Sequence, residues 1–279
     1  AVLTPHPGRW FFGQVLSGAE SVVADRGLDL LLYDLGTAAS RQRFFGEFPL
    51  RRRVDAVLCI AMPLTRTQTD QLRSLNVPIS LVGARSRGMS SVRISDREAA
   101  RSAVRHLVAL GHHRIGMIAT ETHDNQFLAV SERRHGYQAE LRAHGLPVDE
   151  RLITSVPFGL AGGESAIDTL LDLADPPTAV FCESDELAYG ALAALRKRRM
   201  KVPGQLSLIG IDDHDMSDLL ELTTLRQNVF EQGARAAQLL VAAMAHGAAP
   251  LDVLLPTELV VRGSTGPPEP VRSRRARTG

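Results

Sequence analysis

Short apolar runs rich in β-branched residues alternate along this chain with longer segments of helical periodicity, and this alternation restricts the fold more than any other feature. The predicted strands are 2–4, 28–35, 56–61, 79–82, 115–119, 153–156, 179–182 and 206–211. The predicted helices are 12–26, 66–75, 96–110, 132–144, 162–173 and 187–199. Strands that alternate with helices in this way predict parallel β-sheets in an α/β fold.

Residues at the predicted helix ends support several of these boundaries. Ser95 followed by Glu98 makes a capping box at the start of the helix 96–110. Gly27, Gly111 and Gly145 each follow a predicted helix, where a left-handed C-terminal cap is favourable. The helices that end at Gly111 and Gly145 are therefore the most clearly defined.

The order of the elements predicts two similar lobes. The first four predicted strands and the next four each form a complete β-α set, and the segment 92–95 separates them. Two doubly wound parallel sheets explain this arrangement better than one large sheet. The fold class expected is therefore α/β with two doubly wound lobes.

Additional elements after the second set predict that the chain passes between the lobes three times. They are LTTLRQ (222–227), an amphipathic helix near 231–246 and short strands at 253–255 and 259–262. A chain that returns to the first lobe and finishes in the second accounts for them. We predict an N-terminal lobe of 1–94 plus 228–255, a C-terminal lobe of 95–227 plus 256–265, and a disordered tail of 266–279.

Composition excludes several classes of protein. Cys59 and Cys182 each lie in an apolar run, which predicts two buried free thiols and excludes a disulfide scaffold or a zinc site built on cysteines. No run of about 18 apolar residues predicts a membrane span. The net charge is +1, of which the arginine-rich tail carries +3 and the rest −2. The body is therefore a poor electrostatic match to DNA, although the tail alone leaves a nucleic-acid-binding arm as an alternative.

The ends of the predicted strands indicate where a ligand binds, because open parallel sheets bind ligands beyond the carboxyl ends of their strands. The segments at those ends are 5–12, 83–87, 120–133, 157–160, 183–186 and 212–214. They contain aromatic rings, carboxylates and an arginine. Flat apolar faces combined with a few charged groups suit a small polar ligand such as a sugar or a nucleoside.

Structural roles are the alternatives for these residues. Trp10, Phe11 and Phe12 open a helix, so at least one ring is expected to pack into the core. Asp185 and Asp212 follow strands, where an aspartate commonly caps a helix. Phe158 is equally consistent with a core position and with a stacking surface.

Motifs of the common enzyme classes are absent from the sequence. No GxGxxG follows a strand, and there is no GxxxxGK[ST], HExxH or GxSxG motif. The pair His112-His113 is interpreted as a solvated turn rather than a metal site. We therefore expect no catalytic residues, no metal and no cofactor, and treat a flavodoxin-like enzyme as the least favoured alternative.

Six segments, in order along the chain, resemble regulators of the lactose/galactose-repressor family. They are HLVALGHHRIGMIA (106–119), SERRHGYQAEL (131–141), PTAVFCESDELAYGALAAL (177–195), VPGQLSLIGIDD (202–213), LTTLRQ (222–227) and LPTELVVRGST (255–265). The likeness covers about 1–265. It implies a periplasmic-binding-protein-like (type I) fold with a small-molecule effector in the cleft between the lobes, and a homodimer.

The resemblance also implies a set of effector contacts, which together with the residues at the strand ends gives the candidate ligand-binding site. Its members are Trp10, Phe11, Phe12, Phe127, Arg133, Phe158, Ser184, Asp185 and Asp212. Arg133 and Asp212 keep the residue types of the family and are expected to be the polar anchors. A salt bridge between those two side chains, bracing the second lobe, is the alternative.

Several positions depart from the family pattern. Ser184 lies where many members have asparagine, and Gly83 lies where an aspartate is frequent. Phe127 and Ala129 occupy positions that supply polar contacts in purine-type members, and Trp10 replaces a proline. These departures predict a more apolar and more aromatic site than that of a typical monosaccharide-binding member.

The resemblance also sets expectations for partners and location. The family's N-terminal helix-turn-helix is not in this sequence, so operator DNA is expected to be bound only through such a missing head. The helix after Arg41 and the one at 231–246 are expected to form the dimer contact, and the regulator is expected to be cytoplasmic. The alternative function is a periplasmic sugar-binding protein of a transporter; LTTLRQ and RGST (262–265) favour the regulator.

Overall fold

The computed structural model of the chain describes residues 1–121 and 128–269. Within them the strands are β1 Val2–Thr4, β2 Leu32–Asp34, β3 Val57–Ile60, β4 Ile79–Val82, β5 Ser90–Arg93, β6 Ile115–Thr120, β7 Ile153–Val156, β8 Ala179–Cys182, β9 Ser207–Asp212, β10 Thr223–Gln227, β11 Asp252–Leu254 and β12 Thr257–Val260. The helices are α1 Trp10–Ala24, α2 Ala38–Glu47, α3 Arg66–Arg73, α4 Asp96–Ala109, α5 Leu128–Ala143, α6 Leu160–Leu171, α7 Asp185–Lys197, α8 Met216–Leu219 and α9 Val229–His246.

The strands form two six-stranded sheets of matching order. The first is β11-β5-β4-β3-β1-β2, and every neighbouring pair in it is parallel. The second is β12-β10-β9-β8-β6-β7, with parallel pairing from β9 through β7. Replacing β1–β5 by β6–β10, and β11 by β12, converts one order into the other. The predicted α/β class with two doubly wound sheets is therefore confirmed.

The chain divides by its own contacts into two compact units. Of the described residues, the first unit contains 1–97, 128–132 and 226–258, and the second contains 98–121, 133–225 and 259–269. The sequence prediction puts the lobe boundaries after residues 94, 227 and 255, and the units of the structure change after 97, 225 and 258. It assigned 128–132 to the second lobe, whereas their contacts group them with the first unit.

The first sheet has an apolar core on each face. Phe12 and Val15 of α1 pack on one face together with the buried side of α9. Phe44 of α2 and Leu72 of α3 pack on the other. In the second unit, α6 and α7 cover one face, and Tyr137 of α5 is buried while its hydroxyl donates to the carbonyl of Ile115 at 2.7 Å. Helices on both faces are what the continuous apolar strands require.

Paired glycines let two pairs of helices approach closely. A Cβ atom on Gly18 of α1 would lie 2.0 Å from the carbonyl oxygen of Phe230, and one on Gly233 of α9 would lie 2.0 Å from that of Val15. The second unit repeats this contact at Gly163 of α6 and Gly190 of α7, whose Cβ atoms would meet carbonyl oxygens at 2.0 and 1.9 Å. No larger residue fits at these crossings.

Some elements differ from the sequence prediction. The strand predicted at 28–35 is confined to β2, and β5, β10 and α8 were not assigned. The helix expected after Arg41 is α2, which begins earlier, at Ala38. The strand β5 begins with Ser90 and Ser91, and the Ser91 hydroxyl donates to the Asp252 carboxylate of β11 at 2.5 Å. Because polar residues fill this strand and its partner lies far along the chain, the local apolar pattern could not indicate it. Gly27, Gly111 and Gly145 have the positive φ angles expected of caps.

The interpretation of His112 as part of a solvated turn was wrong. The side chain is fully buried, and its ring contacts the hydroxyls of Thr178 at 2.9 Å and Ser207 at 3.1 Å and the carbonyl of Gly266 at 2.9 Å. Three segments distant in sequence supply these partners, so the pair of histidines gave no sign of them. Only the neighbouring His113 is exposed.

The C-terminal segment packs further than the sequence predicted. The tail was expected to be disordered from residue 266, but the Gly266 amide donates to the Ser207 hydroxyl at 3.0 Å. The rest of the predicted tail from 270 onwards lies outside the described residues. Cys59 and Cys182 are both buried and free, as predicted, and burial raises the pKa of the Cys59 thiol to about 12.

Candidate functional site

The candidate residues of the first unit follow β1. Phe12 is 9% exposed and belongs to the core, with the Phe11 ring edge-on to it at 5.3 Å between centroids. Trp10 and Phe11 are half-buried. The expectation that at least one of the three rings packs into the core is met by Phe12, so only Trp10 and Phe11 retain surface for a ligand.

A cavity of about 240 Å³ opens at the carboxyl ends of β3 and β4. The helix α1 begins at the same edge of the sheet, after the carboxyl end of β1. Ala61 and Gly83, the residues directly after these strands, have φ angles of 42° and 69°. A Cβ atom on Gly83 would lie 3.6 Å from the Cβ of Ala61. The lining is Ala61, Met62, Pro63, Leu64, Thr69, Leu81, Gly83, Ala84, Arg85, Ser86, Leu128 and Ala129. This edge of the first unit therefore presents a concave and largely apolar surface.

In the second unit, Arg133 lies on α5 and is held against the end of β8. Its Nη1 donates to the carbonyl oxygen of Glu183. Glu183 is 3% exposed, and its Oε1 accepts the backbone N–H of Thr120 at 2.7 Å. Sequence reasoning noted this carboxylate at a strand end but did not place it in the site. Glu183 joins the ends of β6 and β8 and fixes the position of Arg133.

Asp212 ends β9 in an unusual backbone conformation. Its φ angle is 135°, and that of Asp213 is 57°. Two consecutive non-glycine residues with positive φ are strained, and such strain is found at functional sites more often than elsewhere. Asp212 is 8% exposed, so its carboxylate lies at the buried end of the strand.

Neighbouring side chains hold this strained turn from one side. The Arg262 guanidinium donates to the Asp213 carboxylate at 2.7 Å and to the carbonyl oxygen of Leu222 at 2.8 Å. The backbone N–H of Asp213 donates to the Thr224 hydroxyl at 3.4 Å. The direction of the turn after β9 is thus set by β10 and by the segment after β12.

Asp185 has a structural role. Its buried carboxylate accepts the His214 amide at 3.0 Å and the hydroxyls of Ser217 at 2.6 Å and Thr224 at 2.7 Å. Burial raises the pKa of the Asp185 carboxyl, while the bonds from Ser217, Thr224 and His214 oppose that shift. Because three internal donors occupy the carboxylate, the structure favours a structural role over direct ligand contact. That role is not the helix cap given as the alternative, since Ser184 caps α7, whereas Asp185 binds the segment that contains α8.

The remaining candidates of the second unit also lie at strand ends. Ser184 is buried and caps α7, since its hydroxyl accepts the Leu187 amide at 3.3 Å. Phe158 follows β7 and is half-buried. Phe127 lies outside the described residues. Arg133, Phe158, Ser184 and Asp212 are therefore gathered at the carboxyl ends of neighbouring strands β7, β6, β8 and β9.

Two hydroxyls at equivalent places in the two sheets were missed by sequence reasoning. Thr4 is the last residue of β1 and Thr120 is the last residue of β6, and these strands hold the same position in their sheets. Among the described residues, neither buried side-chain oxygen has a hydrogen-bond partner. A buried hydroxyl without a protein partner is available to a ligand or a water molecule. The one sequence signal is a threonine at the end of an apolar strand.

The chain matches a family described as "Periplasmic binding protein-like domain" over residues 104–265. It is 32% identical to the HTH-type transcriptional repressor CytR of Escherichia coli K12 over 260 residues, which span 91% of this chain and 75% of that protein. It is 28% identical to the transcriptional regulator DegA of Bacillus subtilis, over 96% of this chain and 80% of that protein.

Solved structures agree with these relatives. A LacI family regulator from Enterococcus faecium with bound ribose superimposes with a TM-score of 0.85 at 27% identity, covering 95% of this chain and 98% of that one. The regulator CelR in complex with cellobiose gives a TM-score of 0.84 at 27% identity, covering 94% and 83%.

These likenesses favour a regulator over a transporter-associated binding protein, because these relatives are transcription regulators. Within 1–121 and 128–269, no helix has the length and apolar character needed to cross a membrane. The sheet orders and the family match together identify the kind of molecule. The chain belongs to the LacI family of transcription regulators, of which it contains the periplasmic-binding-protein-like, effector-binding region.

Proposed function

We propose that this region binds a small polyhydroxylated molecule, a sugar or a nucleoside, through side chains that follow the carboxyl ends of its parallel strands. Arg133 and Asp212 anchor its polar edge. Trp10, Phe11 and Phe158 supply flat apolar surface. The observation that carries the proposal is the strained turn at Asp212 and Asp213, which lies at the carboxyl end of β9 and is held there by Arg262 and Thr224.

The chemistry of the two anchors fits such a ligand. The forked guanidinium of Arg133 offers several hydrogen-bond donors in a planar arrangement. A carboxylate at Asp212 accepts hydroxyl hydrogen bonds. Carbohydrates present both donors and acceptors on one edge and a C–H face on the other, so they match this combination of charged and aromatic groups. The ribose and cellobiose bound by two structural relatives belong to the same class.

A thermal-shift screen of sugars and nucleosides tests the proposal. An effector present at about 100 times its dissociation constant stabilises the folded state by about 2.7 kcal/mol, which raises the melting temperature by a few degrees. Ribose, cellobiose, adenosine and cytidine are the first probes. If a broad panel of such compounds leaves the melting temperature unchanged, the assignment of ligand class is wrong.

We further propose that the regulator is a homodimer. The second unit exposes Leu160 by 57% and Leu219 by 75%, next to a cavity of about 640 Å³ that Tyr189 and Leu192 also line. An exposed apolar surface around a cavity is typical of an interface. This face adds to the two helices that the sequence pointed to, α2 and α9.

The remaining proposals concern DNA and location. We assign operator binding to a helix-turn-helix segment that is not part of this sequence, because the relative CytR is named an HTH-type transcriptional repressor. A protein that reads bacterial operators acts in the cytoplasm, and we place this regulator there. Its activity is the regulated binding of DNA rather than catalysis.

A further inference from the structure

The two units carry opposite net charge. Over its described residues, the first unit has 15 arginines against 12 carboxylates, a net charge of +3. The second has 13 arginines and lysines against 18 carboxylates, a net charge of −5. The net charge of +1 for the whole chain conceals this asymmetry. Charge separated between two halves of a chain is typical of proteins that approach a polyanion with one half.

Five exposed arginines of the first unit lie at one edge of its sheet. Arg26 lies before β2, Arg51, Arg52 and Arg53 lie before β3, and Arg87 lies before β5. Since the strands are parallel, the segments that lead into them lie at the same, amino-terminal edge. All five side chains are exposed. We call this set the amino-edge arginines.

Within the part of the chain that the structure describes, none of the amino-edge arginines has a carboxylate within 4.0 Å. Four aspartates share this edge, but Asp70 is paired with Arg73 at 3.2 Å. The others are Asp25, Asp29 and Asp55. The guanidinium of Arg51 lies 5.8 Å from the centre of the Phe48 ring, which restricts its side chain without neutralising it.

A second run of basic residues provides a comparison. Residues 196–199 (RKRR) of the second unit are also exposed. There Lys197 contacts Glu164 at 2.5 Å, and Arg198 contacts Asp168 at 2.7 Å and Asp172 at 3.6 Å. Within the described residues, the chain therefore pairs Lys197 and Arg198 with carboxylates of its own helices, whereas no carboxylate lies within 4.0 Å of the amino-edge arginines.

The edge with the arginines is also where the chain enters the first sheet. The Ala1 ammonium donates to the carbonyl oxygen of Ala56 at 2.8 Å, three residues after Arg53. Residue 1 thus lies close in space to this basic run. Because the relatives of this chain are DNA-binding transcription regulators, DNA is the polyanion that suits this basic edge.

We propose that the amino-edge arginines, and Arg51, Arg52 and Arg53 above all, make sequence-independent contacts with DNA phosphates. The contacts add affinity and position the first unit against the duplex, while base recognition lies elsewhere. This proposal does not depend on the effector site. Arginine suits the task because its planar donors pair with phosphate oxygens.

The test compares two triple variants of the full 279-residue chain by binding to a fluorescent duplex of scrambled sequence. One variant is Arg51→Gln, Arg52→Gln and Arg53→Gln. The control is Arg142→Gln, Lys197→Gln and Lys201→Gln in the second unit, which changes the net charge equally. Affinity is measured between about 50 and 200 mM salt, where each phosphate contact contributes about 0.9 to the slope of log affinity against log salt.

We expect the variant at Arg51, Arg52 and Arg53 to lose about 2 to 3 from that slope and at least about tenfold in affinity at the lowest salt. The control is expected to keep the slope of the parent chain, and both variants its melting temperature. An unchanged slope in the first variant, or a parent chain that does not bind the duplex, would overturn the proposal. So would unchanged DNA binding together with weaker self-association, since the arginines would then contact a second copy.

Discussion

Asp185 shows how one buried side chain determines the arrangement of the candidate site. Its carboxylate accepts hydrogen bonds from the His214 amide and from the hydroxyls of Ser217 and Thr224, so it ties α7 to the turn that carries Asp212. Asp185→Ala leaves these buried donors without an acceptor. At about 1–3 kcal/mol for each unsatisfied group, we expect the free energy of unfolding to fall by at least about 2 kcal/mol.

Asp185→Asn separates lost hydrogen bonds from lost charge. The oxygen of the introduced amide still accepts from His214 and Ser217, and its N–H donates to the Thr224 hydroxyl. Urea unfolding of both variants checks this prediction, and Asp185→Asn is expected to lower stability much less than Asp185→Ala. Equal and small losses in the two variants would show that Asp185 is not the brace described above.

His112 makes a separate prediction at the residue scale. Burial lowers the pKa of His112, as it does that of His106, whose ring contacts the Thr265 hydroxyl at 2.9 Å. The folded chain therefore binds fewer protons than the unfolded chain once the pH falls below about 6.5, the ordinary histidine value. Stability is full above that pH and declines below it, by at most about 1.4 kcal/mol per pH unit for each proton.

The check is the urea midpoint at about pH 7.5 and about pH 5.5, conditions of about one unit on either side of the histidine value. His112→Gln removes one titrating group and is expected to flatten the dependence on pH. A dependence as steep in His112→Gln as in the parent chain would contradict this account.

At the element scale, the contact between α1 and α9 rests on Gly18 and Gly233. Gly233→Ala places a methyl group 2.0 Å from the Val15 carbonyl oxygen, so the helices must separate. We expect a loss of about 1–3 kcal/mol in the free energy of unfolding. Gly13→Ala, in α1 with no neighbour within 4 Å of the added Cβ, should instead gain about 0.5–1 kcal/mol. Thermal unfolding of both variants tests this prediction. A similar loss of stability in Gly233→Ala and Gly13→Ala would rule out the packing explanation.

Elements whose signal is local were predictable from the sequence. β4, β7 and β8 have the predicted bounds, and each contains at least two apolar residues, whereas β5 (SSVR) contains one. β5 was not assigned, since Ser91 satisfies its polar side chain with Asp252 of a strand far along the chain. The rule that ligands bind at the carboxyl ends of strands pointed to the loops in which the candidate side chains lie. It could not show that Phe12 faces the core, because the packing of α1 against α9 decides that.

At the scale of the whole molecule, the proposed dimer face is the apolar surface around Leu219. We expect the chain to sediment as a dimer at tens of micromolar and Leu219→Glu to shift it to the monomer, since a buried unpaired carboxylate costs several kcal/mol. Val261→Glu, at a valine of the same unit that is 59% exposed, is the control and should stay dimeric. A monomeric parent chain would contradict the dimer itself. A dimeric Leu219→Glu variant would move the interface to α2 or α9.

The central claim is that a small polyhydroxylated effector is anchored by Arg133 and Asp212. The most direct test is calorimetric titration of the parent chain and of Arg133→Ala with the compound that the thermal-shift screen identifies, beside melting curves without ligand. We predict that Arg133→Ala weakens binding by about 1.5–3 kcal/mol, the scale of a charge-assisted hydrogen bond, and changes the melting temperature of the free protein little. Unchanged affinity together with a large loss of stability without ligand would show that Arg133 is structural and that the effector binds elsewhere.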